Sequence, residues 1–296
     1  MQTNKVLPAL EMQDCDSEQW NCCREELEQP VKWFKSPWLY VECYMYRRIF
    51  ETLNQTAKLG SLDPFSHKKK QAFDHSLGTV RAVGQHLLLH QDSVSRDVFR
   101  ELVEVCLWGN RNDLSISAGQ TDSQVANVVQ DLDQLRPRIL VNDTEQLWHH
   151  LTSRDGEERN VSWVMDNTGL EAMADLCLAD YLTRHGLARS IRFHVKRMPW
   201  FVSDVTRADV TLMLQWMAAD AEASSPLKTL AERWTKYFET QQWTVVADPF
   251  WTLPSPYCHM KASDSQLYGQ LSSSSLIVFK VPNPVKPATW STFTLN

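Results

Sequence analysis

Residues 161–205 constrain the fold of this chain more than any other stretch. Residues 161–165 form a short apolar run with the length of a buried strand, and Asp166 and Asn167 follow where that strand should end. A helix is predicted over 170–182, because apolar side chains recur there at i, i+3, i+4, i+7, i+8, i+11 and i+12. Residues 191–195 then alternate as a second strand. Strand, acidic turn, helix and strand make a βαβ pattern, so we expect parallel strands.

Polar residues stand where these two strands end. Asp166 and Asn167 follow the first strand, and Asp204 follows the region of the second. Ligands of open α/β sheets bind beyond the carboxyl ends of the strands, and carboxylate and amide oxygens suit Mg²⁺ or Mn²⁺. Asp166 and Asn167 can face one ion only if the chain has left the strand there, which Thr168 and Gly169 allow. Taken alone, Asp-Asn-x-Gly is more often a turn with a helix cap.

Composition narrows the class of protein. The chain has 296 residues, of which 43% are hydrophobic, so it can build a core without disulfide bonds or a structural metal. Its net charge of −6 argues against nucleic acid or an anionic membrane as the main partner. We find no signal-peptide pattern, no run of membrane-spanning length and no zinc spacing among the seven cysteines. We therefore expect a protein of the cytoplasm, or of the nucleus, with reduced thiols.

The chain divides into four predicted regions. Residues 1–30 are polar and acidic, and are predicted to be loose or to form one short peripheral helix. Residues 31–130 are predicted to form a helical N-terminal subdomain, and 131–280 an α/β metal-binding domain in which strands and helices alternate. Residues 281–296 begin with three prolines in six positions and are predicted to form an irregular tail.

Other polar motifs have ordinary explanations at this stage. The pair Arg47-Arg48 is predicted to be solvated or ion-paired, and the basic run 66–70 to be a solvated loop or the start of a helix. Residues 138–143 are predicted to form a strand or buried segment, with Asp143 as the cap of the following helix.

Six longer motifs occur in one order along the chain. They lie at 36–49, 107–110, 164–171, 175–182, 199–204 and 250–254. Together they resemble the metal-dependent damage-control phosphatases, in the branch also called acidic residue methyltransferase 1 or sugar phosphate phosphatase. The resemblance covers most of residues 30–280. It implies a Rossmann-like, mostly parallel sheet flanked by helices, with a helical N-terminal subdomain.

The resemblance also implies a reaction and a site. Asp166, Asn167 and Asp204 are expected to hold one divalent ion and to carry out catalysis. The expected ion is Mn²⁺ or Ni²⁺, with Co²⁺ or Mg²⁺ as alternatives. The expected substrates are small phosphorylated metabolites of the fructose 1-phosphate or fructose 6-phosphate type, and neither nucleic acid nor a membrane is an expected partner. The expected substrate-binding residues are Asp166, Asn167, Lys280, Asn110, Asp113 and Glu42. Two carboxylates, Asp204 and Glu171, remain alternatives for the group that takes the proton of the attacking water.

The chain departs from the family after Lys280. The family continues with Gly-Asp-Leu-Asn-Tyr-Arg-Lys and later carries an Arg-Thr-x-Lys element that contacts the substrate phosphate. Here Val281 begins the proline-containing tail instead, so the sequence suggests a truncated form.

Two further interpretations therefore stay open. One is S-adenosylmethionine-dependent methylation of protein glutamate residues, a second activity that the family association implies. No Gly-x-Gly-x-x-Gly turn follows a strand, so the sequence gives this activity no separate support. The other is a catalytically impaired form that only binds metal.

Overall fold

The computed structural model describes residues 4–26, 29–109, 128–153, 159–280 and 291–295. The strands are β1 (Asn160–Val164), β2 (Ser190–His194), β3 (Trp243–Val246), β4 (Leu276–Lys280) and β5 (Ser291–Leu295). The helices are α1 (Ser17–Glu25), α2 (Trp38–Asn54), α3 (Ser66–Leu89), α4 (Arg96–Trp108), α5 (Val128–Leu135), α6 (Thr144–Thr152), α7 (Leu170–Arg184), α8 (Arg207–Ala218), α9 (Pro226–Glu239), α10 (Met260–Ser263) and α11 (Ser265–Ser272).

One five-stranded sheet, in the order β3-β2-β1-β4-β5, organises the molecule. The first four of these strands are parallel to their neighbours, and β5 runs antiparallel to β4 at the edge. Four of the five residues of β1 are buried, as expected for a central parallel strand covered on both faces. The predicted α/β fold with a mostly parallel sheet and flanking helices is confirmed.

Helix α7 is buried more completely than its apolar stripe indicated. Its residues from Leu170 to Thr183 are all buried, including Glu171, Asp175 and Asp180. Helices α3 and α4 pack against it, which explains the burial of positions that lie outside the apolar stripe. Gly186 has φ 67° just after the helix, a backbone conformation that suits glycine at a helix C-terminus. Acidic side chains on this helix therefore face protein instead of water.

The N-terminal segment is not loose. Helix α1 forms, and Leu7, Leu10 and Trp20 are buried in a small hydrophobic cluster with α2. Arg47 of α2 is fully buried, and it donates hydrogen bonds to both carboxylate oxygens of Asp16. The prediction of ion pairing is thus confirmed for Arg47 and that of solvation is wrong, because α1 covers it.

Two local predictions are wrong. Residues 139–143 form neither a strand nor a buried segment: Leu140 is 76% exposed and Val141 is 58% exposed, because none of the described strands pairs with them. The Asp143 side chain makes no cap hydrogen bond, and Asn142 Oδ1 instead accepts from the backbone N–H and hydroxyl of Thr144.

The expected irregular tail also needs correction. Residues Ser291–Leu295 form β5, with Leu276 opposite Leu295 and Lys280 opposite Ser291. The prolines that suggested irregular chain lie in 281–290, outside the described residues. In the ranges given above, no helix combines the length and apolar character that crossing a membrane requires.

Candidate functional site

The candidate site forms where the chain leaves β1 and β2. After β1, the Asp166 carbonyl accepts a hydrogen bond from Val205 N–H at 2.7 Å, and Thr168 N–H donates to the Ser203 carbonyl at 2.8 Å. Asn167 and Asp204 form an antiparallel bridge between these bonds. The two exit segments are thus tied side by side, which brings the Asp166 and Asp204 carboxylates together. This is the arrangement that the strand-end argument predicted.

The turn before Asp204 has an unusual backbone. Phe201 has φ 40° and Val202 has φ 69°, a region that β-branched residues such as valine strongly disfavour. Such conformations persist only where the surrounding structure holds them. Here the strained turn directly precedes the bridge that places Asp204 beside Asp166.

Lys196 lies between the two carboxylates, which we call the acidic pair. Its Nζ atom is 3.2 Å from Asp204 Oδ2 and 3.9 Å from Asp166 Oδ1. All three side chains are buried, with at most 6% of any of them exposed. Despite this ion pairing, Asp166 Oδ1 and Asp204 Oδ2 have no well-directed hydrogen-bond donor among the described residues. Two buried anionic oxygens therefore keep unused acceptor capacity on the same side of the site.

Asn167 links the acidic pair to Glu171 at the start of α7. Its Nδ2 donates to Asp166 Oδ2 at 3.0 Å and to Glu171 Oε2 at 2.9 Å. Ser203 Oγ donates to Asn167 Oδ1 at 2.7 Å. Because a hydroxyl can accept as well as donate, a rotation of the amide would turn Oδ1 toward the carboxylates and Nδ2 toward Ser203.

Two further buried lysines contact residues of this arrangement. Lys280, at the end of β4, donates to the Cys106 carbonyl at 2.7 Å and to Asp175 Oδ1 at 3.1 Å, and it lies 3.4 Å from Glu171 Oε1. Lys280 was predicted as a substrate ligand, and the structure places it 5% exposed against these buried partners.

Lys69 of α3 supports the Asp204 side. It donates to the Asp204 carbonyl at 3.0 Å and to Asp209 Oδ2 at 2.6 Å, and it also contacts Asp63. The basic run 66–70 is therefore the start of α3, and Lys69 within it is only 2% exposed.

The charges of this central cluster do not balance. Among the described side chains, five buried carboxylates face three buried ammonium groups, an excess of two negative charges. The carboxylates are Asp166, Glu171, Asp175, Asp204 and Asp209, and the ammonium groups are Lys69, Lys196 and Lys280.

The pKa values respond to this imbalance. Burial raises the pKa of Asp166 well above its usual range, and neighbouring Asp204 and Glu171 raise it further. Burial also raises the pKa of Asp204, to about 6, although Lys196 works in the opposite direction. Burial opposes the charge of Lys196, but Asp204 and Asp166 nevertheless raise its pKa above the ordinary value. Burial thus opposes the charged form of both carboxylates, and a further cation beside them would favour it.

These features fit a hard divalent cation. Unpaired carboxylate oxygens and an amide that can present oxygen are the ligands that Mg²⁺ and Mn²⁺ prefer. Within the described ranges, no three His, Cys, Asp or Glu side chains converge closely enough to hold a metal by themselves. An ion at the acidic pair would therefore need further oxygen ligands from Asn167, water or substrate.

Two tyrosines that the sequence did not single out lie within electrostatic range of the acidic pair. Burial raises the pKa of Tyr46 on α2 to about 12, and Glu42 and Asp204 contribute to the rise. Tyr257 is 47% exposed as a residue, yet burial raises the pKa of its hydroxyl, and Lys196 and Asp166 lie within electrostatic range. The hydroxyl end of Tyr257 is therefore the buried part of this side chain.

The remaining predicted site residues fall in different places. Glu42 lines an open groove of about 420 Å³ with Trp33, Phe34 and Trp38, and burial raises its pKa. A second cavity of about 470 Å³ lies between α2 and the start of α8, with Asp63, Arg197 and Thr206 in its lining. Neither lining includes Asp166, Asn167 or Asp204. The predicted residues Asn110 and Asp113 lie outside the described residues.

Comparison with known proteins identifies the family. The family model for the damage-control phosphatase ARMT1-like domain matches residues 1–280. Proteins named damage-control phosphatase ARMT1 from Danio rerio and Mus musculus are 39% and 38% identical to this chain over 95% of its length, covering 66% and 67% of theirs. The human protein of that name is 36% identical over 95% of this chain and 67% of its own length. This chain thus spans about two thirds of the length of these curated relatives.

A solved structure is a more distant match. It is a DUF89 family protein from Pyrococcus horikoshii, which aligns with a TM-score of 0.44 and 15% identity over 93% of this chain and 86% of that one. A likeness at that distance carries no argument about the site. The family match and the relatives confirm the resemblance drawn from the motifs: this chain belongs to the damage-control phosphatase ARMT1-like family.

Proposed function

We propose that this chain is a metal-dependent phosphatase that hydrolyses small sugar phosphates of the fructose 1-phosphate or fructose 6-phosphate type. The observation that carries the proposal is the acidic pair, two buried carboxylates that share the Lys196 ammonium, each with an oxygen that accepts no directed hydrogen bond from the described residues. They lie in a cluster with a formal excess of two negative charges. Membership of a phosphatase family supports the reaction class. The sugar-phosphate substrate rests on the motif resemblance alone.

The residues of the acidic pair would hold the ion together with Asn167. Mn²⁺ and Ni²⁺ are the preferred candidates, with Co²⁺ or Mg²⁺ as alternatives. A divalent ion bound there would polarise a phosphate oxygen and lower the pKa of a bound water. Ser203 holds the Asn167 amide in place, and the strained turn before it fixes the position of Asp204. Preorganised ligands of this kind contribute to catalysis because they need little rearrangement during the reaction.

Glu171 is our candidate for the group that takes the water's proton. Asp204 would be a metal ligand, whereas Glu171 would not: it accepts a hydrogen bond from Asn167 and lies 3.4 Å from Lys280. Its position at the first turn of α7 places a fixed carboxylate behind the acidic pair. A general base must lie within hydrogen-bond reach of the water, directly or through one other water.

The direct test measures phosphate release from fructose 1-phosphate by the 296-residue chain, with and without Mn²⁺ or Ni²⁺. We expect metal-dependent turnover, which Asp166→Asn and Asp204→Asn each lower at least about a thousandfold, or ~4 kcal/mol in the barrier. Asp97→Asn is the matched control, since Asp97 is exposed and its ion pair is with Arg100 in the same helix. Near-normal rates in both site variants would reject the assignment.

A parallel assay separates the methylation hypothesis. Labelled S-adenosylmethionine is incubated with the same preparation and an acceptor protein, with and without a chelator. Methyl transfer that resists the chelator, in a protein that releases no phosphate with any of the four metals, would replace the phosphatase proposal.

A further inference from the structure

The three buried lysines of the central cluster are held in different ways. Lys69 donates to the Asp204 carbonyl and Lys280 donates to the Cys106 carbonyl, so each is anchored to backbone as well as to a carboxylate. For the Lys196 ammonium, the ion-pair partners within the described part of the chain are the two carboxylates of the acidic pair. The Lys196 side chain is therefore the least anchored of the three.

Lys196 also occupies the place where a metal ion would meet the carboxylates. Its nearest carboxylate oxygens, Asp204 Oδ2 and Asp166 Oδ1, are the ones without a directed hydrogen-bond donor. An ammonium group and a divalent cation cannot both approach these oxygens closely, because like charges repel strongly in a buried site. Either the lysine or the metal neutralises the acidic pair at one time.

The backbone around Lys196 permits such an exchange. The Lys196 N–H donates to the Val205 carbonyl at 2.8 Å, so the main chain is fixed to the segment that carries Asp204. The ammonium group sits at the end of a flexible four-carbon stem and can move while the backbone stays in place. The Tyr257 hydroxyl lies within electrostatic range of the Lys196 ammonium.

We propose that Lys196 is the internal counter-cation of the acidic pair and that it sets how tightly the pair binds a divalent ion. This inference rests on the metal site of the proposed function. Lys196 acts as a positioning residue: it holds the two carboxylates together before the metal arrives and leaves their oxygens when the metal binds. Lys196 thus lowers the affinity for the metal and raises the stability of the metal-free fold.

The test is calorimetric binding of Mn²⁺ to the full chain and to Lys196→Met, which keeps an unbranched side chain one atom shorter and removes the charge. We expect Lys196→Met to bind Mn²⁺ about tenfold more tightly or better, because the competing charge is gone. Its metal-free form should melt at a lower temperature than the metal-free wild type. Mn²⁺ should raise the melting temperature of Lys196→Met by more than it raises that of the wild type. Unchanged or weaker Mn²⁺ binding by Lys196→Met would overturn the proposal.

Two controls separate this role from simple structural support. Lys196→Arg keeps the charge and should bind Mn²⁺ no more tightly than the wild type. Lys69→Met removes a buried charge that pairs with Asp209 and Asp63, so it should destabilise the protein but strengthen Mn²⁺ binding less than about threefold. Equal gains for Lys69→Met and Lys196→Met would show a general charge effect and reject a specific role for Lys196.

Failure to fold would itself be informative. If Lys196→Met and Lys196→Gln unfold without metal, refolding in the presence of Mn²⁺ supports the exchange, and failure to refold in Mn²⁺ contradicts it. Phosphate release by the wild type tests the proposed function separately. Tighter Mn²⁺ binding by Lys196→Met alongside an inactive wild type would leave the inference standing and reject the phosphatase.

Discussion

Two regions of this molecule bury charged side chains, and they do so in opposite ways. In the N-terminal ion-pair cluster, two arginines meet two aspartates: Arg47 and Arg197 face Asp14 and Asp16. In the central cluster, five carboxylates face three lysines. In the first region the positive and negative charges balance. In the second they balance only when a further cation binds.

The pKa directions reflect this difference. Burial acts to raise the pKa of Asp14, but hydrogen bonding to Arg197 holds it below its usual range. In the central cluster, burial prevails and the pKa of Asp166 lies well above its usual range. A buried carboxylate that keeps its charge through a matched arginine has a structural explanation. A buried carboxylate whose protein partners do not supply enough positive charge is a candidate for binding a ligand.

The largest expected effect comes from breaking the N-terminal cluster. Asp16→Ala leaves Arg47 fully buried without its bidentate partner, which should lower the free energy of unfolding by about 3–5 kcal/mol. Denaturant unfolding measures this change, and activity per folded molecule should stay at the wild-type level. Asp74→Asn is the control: it removes an exposed partner of Lys70 and should change stability by less than about 1 kcal/mol. A stable Asp16→Ala protein would mean that the first region is not held by this pair.

A smaller effect should come from the second layer of the central cluster. Glu171→Gln can still accept from Asn167 but removes the proposed general base and the charge facing Lys280, so kcat should fall at least about 100-fold. Steady-state kinetics at saturating metal measures the change. Glu145→Gln, at an exposed ion pair with Arg96, should leave kcat unaltered. Full activity in Glu171→Gln would remove Glu171 from the proposed mechanism.

The smallest expected effect tests how closely α4 approaches α7. A Cβ at Gly109 would lie 3.1 Å from Glu171 Cα, so Gly109→Ala must push apart two backbones beside the site. We expect a loss of about 1 kcal/mol of stability from this overpacking, measured by thermal unfolding. Gly78→Ala is the matched control, because a Cβ there meets nothing within 4 Å and alanine favours the α3 helix. Equal stability changes in both variants would argue against a tight approach at Gly109.

The acidic pair was predictable from sequence because it depends on local pattern and one general rule. Apolar period and turn residues placed β1, α7 and β2, and parallel strands bring their carboxyl ends to one edge. This rule placed Asp166 and Asn167 at that edge, and Asp204 was expected there as well, after the region of the second strand. The fold class followed from the same alternation of strands and helices.

The lysines that surround the acidic pair were not predictable in this way. Lys69 lies on α3 and meets the Asp204 carbonyl from 135 residues away, so only the tertiary structure brings them together. Lys196 carried a usable signal, since it directly follows the second predicted strand at the same edge as Asp166. The burial of Arg47 was missed because the acidic N-terminal sequence gave little sign that α1 would cover it.

The most direct test of the account is the binding of Mn²⁺ to the metal-free chain, measured by titration calorimetry for the wild type, Asp204→Asn and Asp16→Asn. If the excess negative charge of the central cluster forms a cation site, the wild type and Asp16→Asn should each bind one ion per chain. Asp204→Asn should bind at least about 100-fold more weakly, since it removes a charged ligand. A wild type that binds no ion, or an Asp204→Asn variant that binds as tightly as the wild type, would contradict the account.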